Sequence, residues 1–206
     1  MPLNFDIDGA VHLTGVYDSR IIEFISRAAQ DIVAELPSFD RPKLPIRDIL
    51  VDGVPADRAL MTPPILDVAR HYLGHEPEPS GISNVRRMLP DGKALPFHQD
   101  ETLLGHKLVN VWIPLTACGV DAPGLQIVRG SWGKLWETAS IADSRLIVER
   151  QYIPADGVLS AYPPEAFYQG EYVPGDAMIF SGRTIHRTHQ VPAMTRPRFS
   201  VELRLK

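Results

Sequence analysis

Beyond Gly81 the chain breaks into short runs rich in β-branched and aromatic residues, at positions 82–89, 108–115, 125–128, 177–180, 185–191 and 199–205. Glycine, proline and aspartate separate them. Several strands at such spacing point to a β-sandwich or barrel rather than to βαβ units. The first third reads differently. From position 19 to 36 the apolar residues Ile21, Ile22, Phe24, Ile25, Ala28, Ile32 and Val33 recur at helical spacing; Asp18 or Ser19 is placed to cap the start and Pro37 to end it. A second helix is predicted over 64–73 with Gly74 as its stop. Between the helices, 41–56 is proline-rich and expected to be irregular.

Residues 137–172, with Pro154, Pro163 and Pro164, show no regular period and are expected to form a lid. Tyr152, Tyr162, Phe167, Tyr168 and Tyr172 would give that lid an aromatic wall. The chain shows no internal repeat. The expected fold is mainly β: one domain over 1–206, in which the helices of 1–80 pack outside an eight-stranded, double-sheet jelly roll formed by 81–206.

Composition narrows the function classes. The 206 residues suffice for one substantial core, and 44% hydrophobic with 22% charged residues is a globular balance. A net charge of −4 provides no basic footprint for nucleic acid or an anionic membrane. The first positions carry Asp6 and Asp8 instead of a basic start and an apolar run, so no secretory signal is expected. No apolar stretch reaches the length of a membrane span. Cys118, the single cysteine, excludes an internal disulfide and a cysteine-built zinc site and reads as a small buried residue. A cytoplasmic location is expected, and no partner protein is implied.

Two stretches carry chemistry: Pro96-Phe97-His98-Gln99-Asp100, and Gly175-Asp176 through His186 to Arg198. Alone, His98-x-Asp100 is a weak signal in a chain with seven histidines. On a strand or at its end, however, residues i and i+2 share a face, so an imidazole nitrogen and a carboxylate oxygen converge on one cation. One histidine from a distant strand completes a facial set. The opposite positions then stay open for a chelating cosubstrate and O₂.

Here the chain resembles the phytanoyl-CoA dioxygenase family of 2-oxoglutarate enzymes, from about position 82 to its end and more loosely over the helices before. The resemblance rests on Asn84-Val85-Arg86-Arg87 ahead of His98-x-Asp100 and on Val109-Asn110-Val111-Trp112-Ile113-Pro114-Leu115. It continues in Gly124-Leu125-Gln126-Ile127-Val128-Arg129-Gly130-Ser131-Trp132 and in Gly175-Asp176-Ala177-Met178-Ile179-Phe180, leading to His186. It implies a cupin-like double-stranded β-helix with Fe(II) held by His98, Asp100 and His186. It further implies that 2-oxoglutarate chelates the iron, its far carboxylate pairing with an arginine beyond His186. Succinate and CO₂ would be released as O₂ hydroxylates a small organic substrate.

The family's spacing puts that arginine where Pro197 stands here, with Arg196 and Arg198 on either side. In the last strand Phe199, Val201, Leu203 and Leu205 form an apolar face; Arg198, Ser200, Glu202 and Arg204 form a polar one. A buried polar face needs partners, and an anion supplies them. Arg198 shares that face and lies nearest His186, so it is the expected clamp, with Ser200 on the same carboxylate. Asn110 and Trp112 alternate with apolar neighbours and are candidates to line the cosubstrate pocket, as is Gln126.

Other residues carry plainer readings. His189 points away from the face of His186 on the same strand; His106 is a loop or pocket residue; His12, His71 and His75 read as surface or capping residues. Of the adjacent Arg86 and Arg87, one faces the barrel and the other solvent. Iron halogenases related to the family lack the carboxylate ligand, so Asp100 favours hydroxylation, desaturation or ring closure. Two alternatives stand beside the oxygenase: a cupin-like metal enzyme that needs no 2-oxoglutarate, and a non-catalytic jelly-roll binding protein. Binding of Fe(II) and 2-oxoglutarate separates them. The expected substrate is a free small molecule rather than a coenzyme A thioester or a protein.

Overall fold

The computed structural model describes residues 2–34, 43–141 and 150–206. The strands are β1 (Ala10–Leu13), β2 (Lys43–Pro45), β3 (Leu50–Val51), β4 (Val54–Pro55), β5 (Asn84–Met88), β6 (Val109–Pro114), β7 (Gly124–Val128), β8 (Ala139–Ile141), β9 (Arg150–Tyr152), β10 (Phe167–Gln169), β11 (Ala177–Ser181), β12 (His186–His189) and β13 (Arg198–Leu205). The helices are α1 (Phe5–Asp8), α2 (Ser19–Ala34), α3 (Ala56–Ala59), α4 (Pro63–Leu73), α5 (Asp100–Leu104) and α6 (Ala155–Ala161).

Period-2 alternation builds the layers. The large antiparallel sheet runs β1-β11-β6-β13-β5-β2. One face carries Val109, Val111, Ile113, Ala177, Ile179, Val201, Leu203 and Leu205, packed against Ile22, Ile25, Ile65 and Ala69 of α2 and α4. The other face turns Trp112, Met178 and Phe180 toward Leu125 and Ile127 of the small sheet β10-β7-β12. A backbone bridge between His98 and His186 extends the small sheet. Its outer face carries Phe97, Val128 and Ile185 beneath Ile153 and Val158, the latter from α6. This is the expected mainly β jelly roll with helices outside.

The helices start and stop where side-chain chemistry requires. Asp18 accepts the Arg20 amide at 2.8 Å at the head of α2; the predicted end of that helix, at 36, lies outside the described residues. Pro63 opens α4, and Gly74, at φ 86°, closes it by donating to Arg70 O at 2.9 Å. The stretch expected to be irregular, 41–56, includes the β3–β4 hairpin and a tight turn, because buried Ile46, Ile49 and Ala56 anchor it.

The expected lid needs correction. Within 137–172, β10 pairs with β7 through Phe167↔Val128 and Tyr168↔Ile127, so this part belongs to the sheet. Tyr172 is a core residue: 1% exposed, 4.9 Å ring to ring from Trp112, its hydroxyl donating to Leu125 O at 3.0 Å. A large ring whose one polar atom has a backbone acceptor is more stable buried than at a rim.

Gly9 joins α1 to the turn ahead of His186. Its φ is 72°, its carbonyl accepts from Ser181 N at 2.9 Å and Thr184 Oγ1 at 2.8 Å, and a Cβ there would lie 2.5 Å from the Trp132 ring. Gly9→Ala is therefore expected to destabilise the fold by about 2 kcal/mol or more, from the left-handed φ and the overlap together. Urea unfolding checks it; an unchanged midpoint would mean that the turn yields freely.

Candidate metal and cosubstrate site

His98 comes from the bridge, Asp100 from the first residue of α5, and His186 from the start of β12. Asp100 is thus not on a strand; the helix start brings its carboxylate round. Among the described residues, one ligand atom from each of the three lies within 4.8 Å of the others, and all three side chains are buried. His98 Nε2 is 3.8 Å from Asp100 Oδ1, and the two imidazole centroids are 4.1 Å apart.

Local hydrogen bonds set the tautomers. His98 Nδ1 donates to Pro96 O at 2.8 Å, and His186 Nδ1 donates to Thr184 O at 2.9 Å. Each ring therefore keeps its proton on Nδ1 and leaves a bare lone pair on Nε2, that of His98 on the Asp100 side. Burial pushes the His98 pKa down to about 3, helped by the neighbouring His186, and burial likewise lowers His186. Burial pushes the Asp100 carboxyl up, but Arg204 and the imidazoles outweigh it and hold the group below the usual carboxylate range. Two neutral imidazoles and one carboxylate at neutral pH fit a divalent transition metal.

His98, Asp100 and His186 line a cavity of ≈ 400 Å³ shared with Asn110, Trp112 and Arg198. Arg198 is 2% exposed; its Nη1 donates to Gly124 O at 3.0 Å, and the guanidinium lies 5.4 Å from the Trp112 ring centre. Among the described residues no carboxylate pairs with it. Arg198 Nε, Asn110 Nδ2 and Ser200 Oγ are buried without a hydrogen-bond partner. Buried polar atoms left open in this way suit a ligand that is a carboxylate. Arg196 is exposed.

Other candidates fall elsewhere. Gln126 does not line the cavity: it alternates with inward-facing Leu125 and Ile127, and its Oε1 accepts from Arg187 Nε at 2.7 Å. Parity along β7, with its neighbours turned inward, puts it on the wrong face. His12 is not a surface cap. It donates from Nε2 to buried Asp176 at 3.1 Å and accepts from the Tyr168 hydroxyl at 3.1 Å, because β1 pairs with β11 at the sheet edge. His106 and His75 are exposed, and His71, also exposed, bonds Asp6 at 2.8 Å.

The sequence reading missed a chain of charge beside the metal ligands. Asp100 Oδ2 accepts from Arg204 Nε at 2.9 Å, Arg204 Nη2 donates to Glu202 at 3.3 Å, and Arg86 Nη2 donates to Glu202 at 2.7 Å. The polar parity of β13 signalled Glu202 and Arg204; nothing signalled Asp100 as their partner. It also missed Gln99, 1% exposed, whose amide donates to Lys134 O at 2.8 Å and to Arg183 O and accepts from Trp136 N at 2.9 Å. These bonds tie the segment between His98 and Asp100 to the turns after β7 and before β12.

Comparison with solved structures shows the same fold in proteins of low identity. EvdO2 from Micromonospora carbonacea var. aurantiaca superposes with a TM-score of 0.73 at 17% identity, covering 98% of this chain and 87% of that one. The epimerase SnoN from nogalamycin biosynthesis, solved with Fe³⁺, alpha ketoglutarate and nogalamycin RO, gives 0.64 at 16% identity over 98% and 80%. EctD from S. alaskensis, solved with 2-oxoglutarate and 5-hydroxyectoine, gives 0.66 at 17% identity over 98% and 73%. No curated protein sequence matches the chain. The family model of phytanoyl-CoA dioxygenase (PhyH) matches residues 5–193, and the chain belongs to that family.

Proposed function

We propose that residues 1–206 form one oxygenase domain that uses Fe(II), 2-oxoglutarate and O₂ to hydroxylate a small organic molecule. One observation carries the reading: two imidazoles and a carboxylate set for a metal share a cavity with a buried arginine that, among the described residues, has no acidic partner. His98, Asp100 and His186 would hold the iron. Arg198, with Ser200 and Asn110, would hold the far carboxylate of 2-oxoglutarate against Trp112. When bound, the pair supplies the oxidation of a C–H bond by O₂, with 2-oxoglutarate converted to succinate and CO₂. EvdO2, solved with 2-oxoglutarate bound, supports the reading.

The protein's own part is to keep that chemistry dry and aimed. Phe180 packs 4.7 Å from the His186 ring, and Tyr152 meets His98 edge-on at 6.1 Å, which shields both ligands from water. The cavity is also lined by Ile82, Leu95, Leu103 and Leu104, with Asn84, Arg187 and Thr188 among them. A wall of aliphatic side chains with a few polar groups suits a free small molecule. A net charge of −4 speaks against nucleic acid. Among the described residues no helix is long and apolar enough to cross a membrane. Buried, free Cys118 needs no oxidising compartment, which favours the cytoplasm.

Anaerobic titration of the Fe(II)-loaded protein with 2-oxoglutarate tests the proposal. A weak visible charge-transfer band is expected to grow to saturation. A folded, iron-bound protein that shows no band at high 2-oxoglutarate would sink the assignment and leave a metal enzyme without this cosubstrate, or a binding protein.

A further inference from the structure

We infer that Arg204 is a positioning residue for the metal site: it occupies one oxygen of Asp100, so that the carboxylate offers a metal only the other. The inference rests on the metal reading above. Arg204 makes three donations in three directions: Nε to Asp100 Oδ2 at 2.9 Å, Nη2 to Glu202 Oε2 at 3.3 Å and Nη1 to the Ile82 carbonyl at 3.0 Å. Together they fix the plane of the guanidinium. Glu202 is held in turn by Arg86, so the charges alternate Asp100, Arg204, Glu202, Arg86, the last three on the inner face of the large sheet. Each buried charge has its opposite beside it, which offsets the desolvation that burial imposes.

Asp100 needs such a holder. It opens a short helix, and nothing in α5 itself fixes how its carboxylate is turned. A carboxylate with both oxygens free can chelate a metal or swing between two single-oxygen modes. With Oδ2 taken by a charged donor, Oδ1 is left, 3.8 Å from His98 Nε2 and on the side of the two imidazoles. A single-oxygen carboxylate uses one position of an octahedral metal and leaves room opposite the three ligands. The donor comes from β13 of the large sheet, whereas both histidines belong to the bridge that extends the small sheet. Lysine, with one nitrogen and no fixed plane, does not reproduce three divergent bonds.

Co(II), which tolerates O₂ and whose visible bands report coordination number, tests this in the full chain. Affinity is read by competition with a chelating dye, and folding by circular dichroism and thermal unfolding. Folded Arg204→Met is expected to bind Co(II) about 10–100-fold more weakly and with altered visible bands. Arg204→Lys is expected to recover part of the affinity without restoring the wild-type bands. A folded Arg204→Met with wild-type affinity and bands overturns the inference, because a merely structural arginine lowers the melting temperature alone. If Arg204→Met does not fold, wild-type bands in Arg204→Lys overturn it equally. A wild-type chain that binds no Co(II) overturns the metal reading itself, and this inference with it.

Discussion

Arg198→Met is expected to weaken 2-oxoglutarate binding by about 30- to 5,000-fold while making the chain without ligands more stable. Arg198 is 2% exposed, and its Nη1 is bonded to Gly124 O at 3.0 Å, yet its Nε has no partner. Among the described residues it faces no paired carboxylate, and burial pushes its pKa down, the mark of a charge kept in a poor solvent. Truncating one member of a buried, hydrogen-bonded charge pair costs about 2–5 kcal/mol, which is the stated range in affinity. In the absence of 2-oxoglutarate the same guanidinium is a burden. Methionine keeps much of the volume beside Trp112 and removes the charge, so a gain of about 1 kcal/mol is expected in urea unfolding. Calorimetric titration of the Fe(II)-loaded variant gives the affinity. Wild-type 2-oxoglutarate binding in Arg198→Met would remove this residue from the anion site.

Asp100→Ala is expected to abolish Fe(II) binding and to destabilise the metal-free chain by about 3 kcal/mol. Asp100 is 4% exposed, and its loss leaves Arg204 with Glu202 as its acidic partner and the Ile82 carbonyl as a second acceptor, which puts the effect at the low end of the range for breaking a buried pair. The stability part carries a pH signature. The folded carboxyl lies below its ordinary value of 3.8, so its contribution is present above that value and is lost as pH falls below it. The gap between wild type and the isosteric Asp100→Asn is therefore widest near neutrality and closes below about pH 4. The imidazoles act over another window. His98 falls from 6.5 unfolded to about 3 folded, so the stability of the metal-free chain declines as pH drops through 6.5. Urea midpoints measured between pH 7 and pH 3 read both. A wild-type to Asp100→Asn gap that does not change with pH would show that Asp100 is not held ionised by Arg204.

His186→Ala separates the two effects. It is expected to abolish Fe(II) binding as fully as Asp100→Ala, since His186 is the proposed ligand from β12. It removes a neutral ring that packs against Phe180, so it leaves no charge unpaired. The stability loss is then that of a cavity. Equal losses of stability in the two variants would argue against a special role for the Asp100–Arg204 bond.

Much of this site was legible because β-structure has a period of 2. On β13 the alternation put Arg198, Ser200, Glu202 and Arg204 on one face, and that face lines the cavity or is buried beside it. The same rule predicted that only one of Arg86 and Arg87 turns inward, without saying which. Register decides that: β5 pairs with β13 at Arg86↔Ser200 and Asn84↔Glu202, which puts Arg86 beside Glu202 on the inner face. Gln126 was placed wrongly for want of the same information. The word around it suggested a pocket residue, but its neighbours Leu125 and Ile127 took the inward face.

What the residues determined alone was therefore local. Turn residues and alternation set the short strands, the caps set α2 and α4, and His98-x-Asp100 marked a metal word, since each depends on neighbours a few positions away. The tertiary structure decided everything that needs partners far apart in the chain. Arg204 reaches Asp100 across 104 positions, and Tyr172 packs under Trp112 instead of rimming a lid. His12 meets Asp176 across 164 positions. The physical reason is the same throughout: a strand's sequence states which residues share a face, but only pairing and sheet packing state what that face meets.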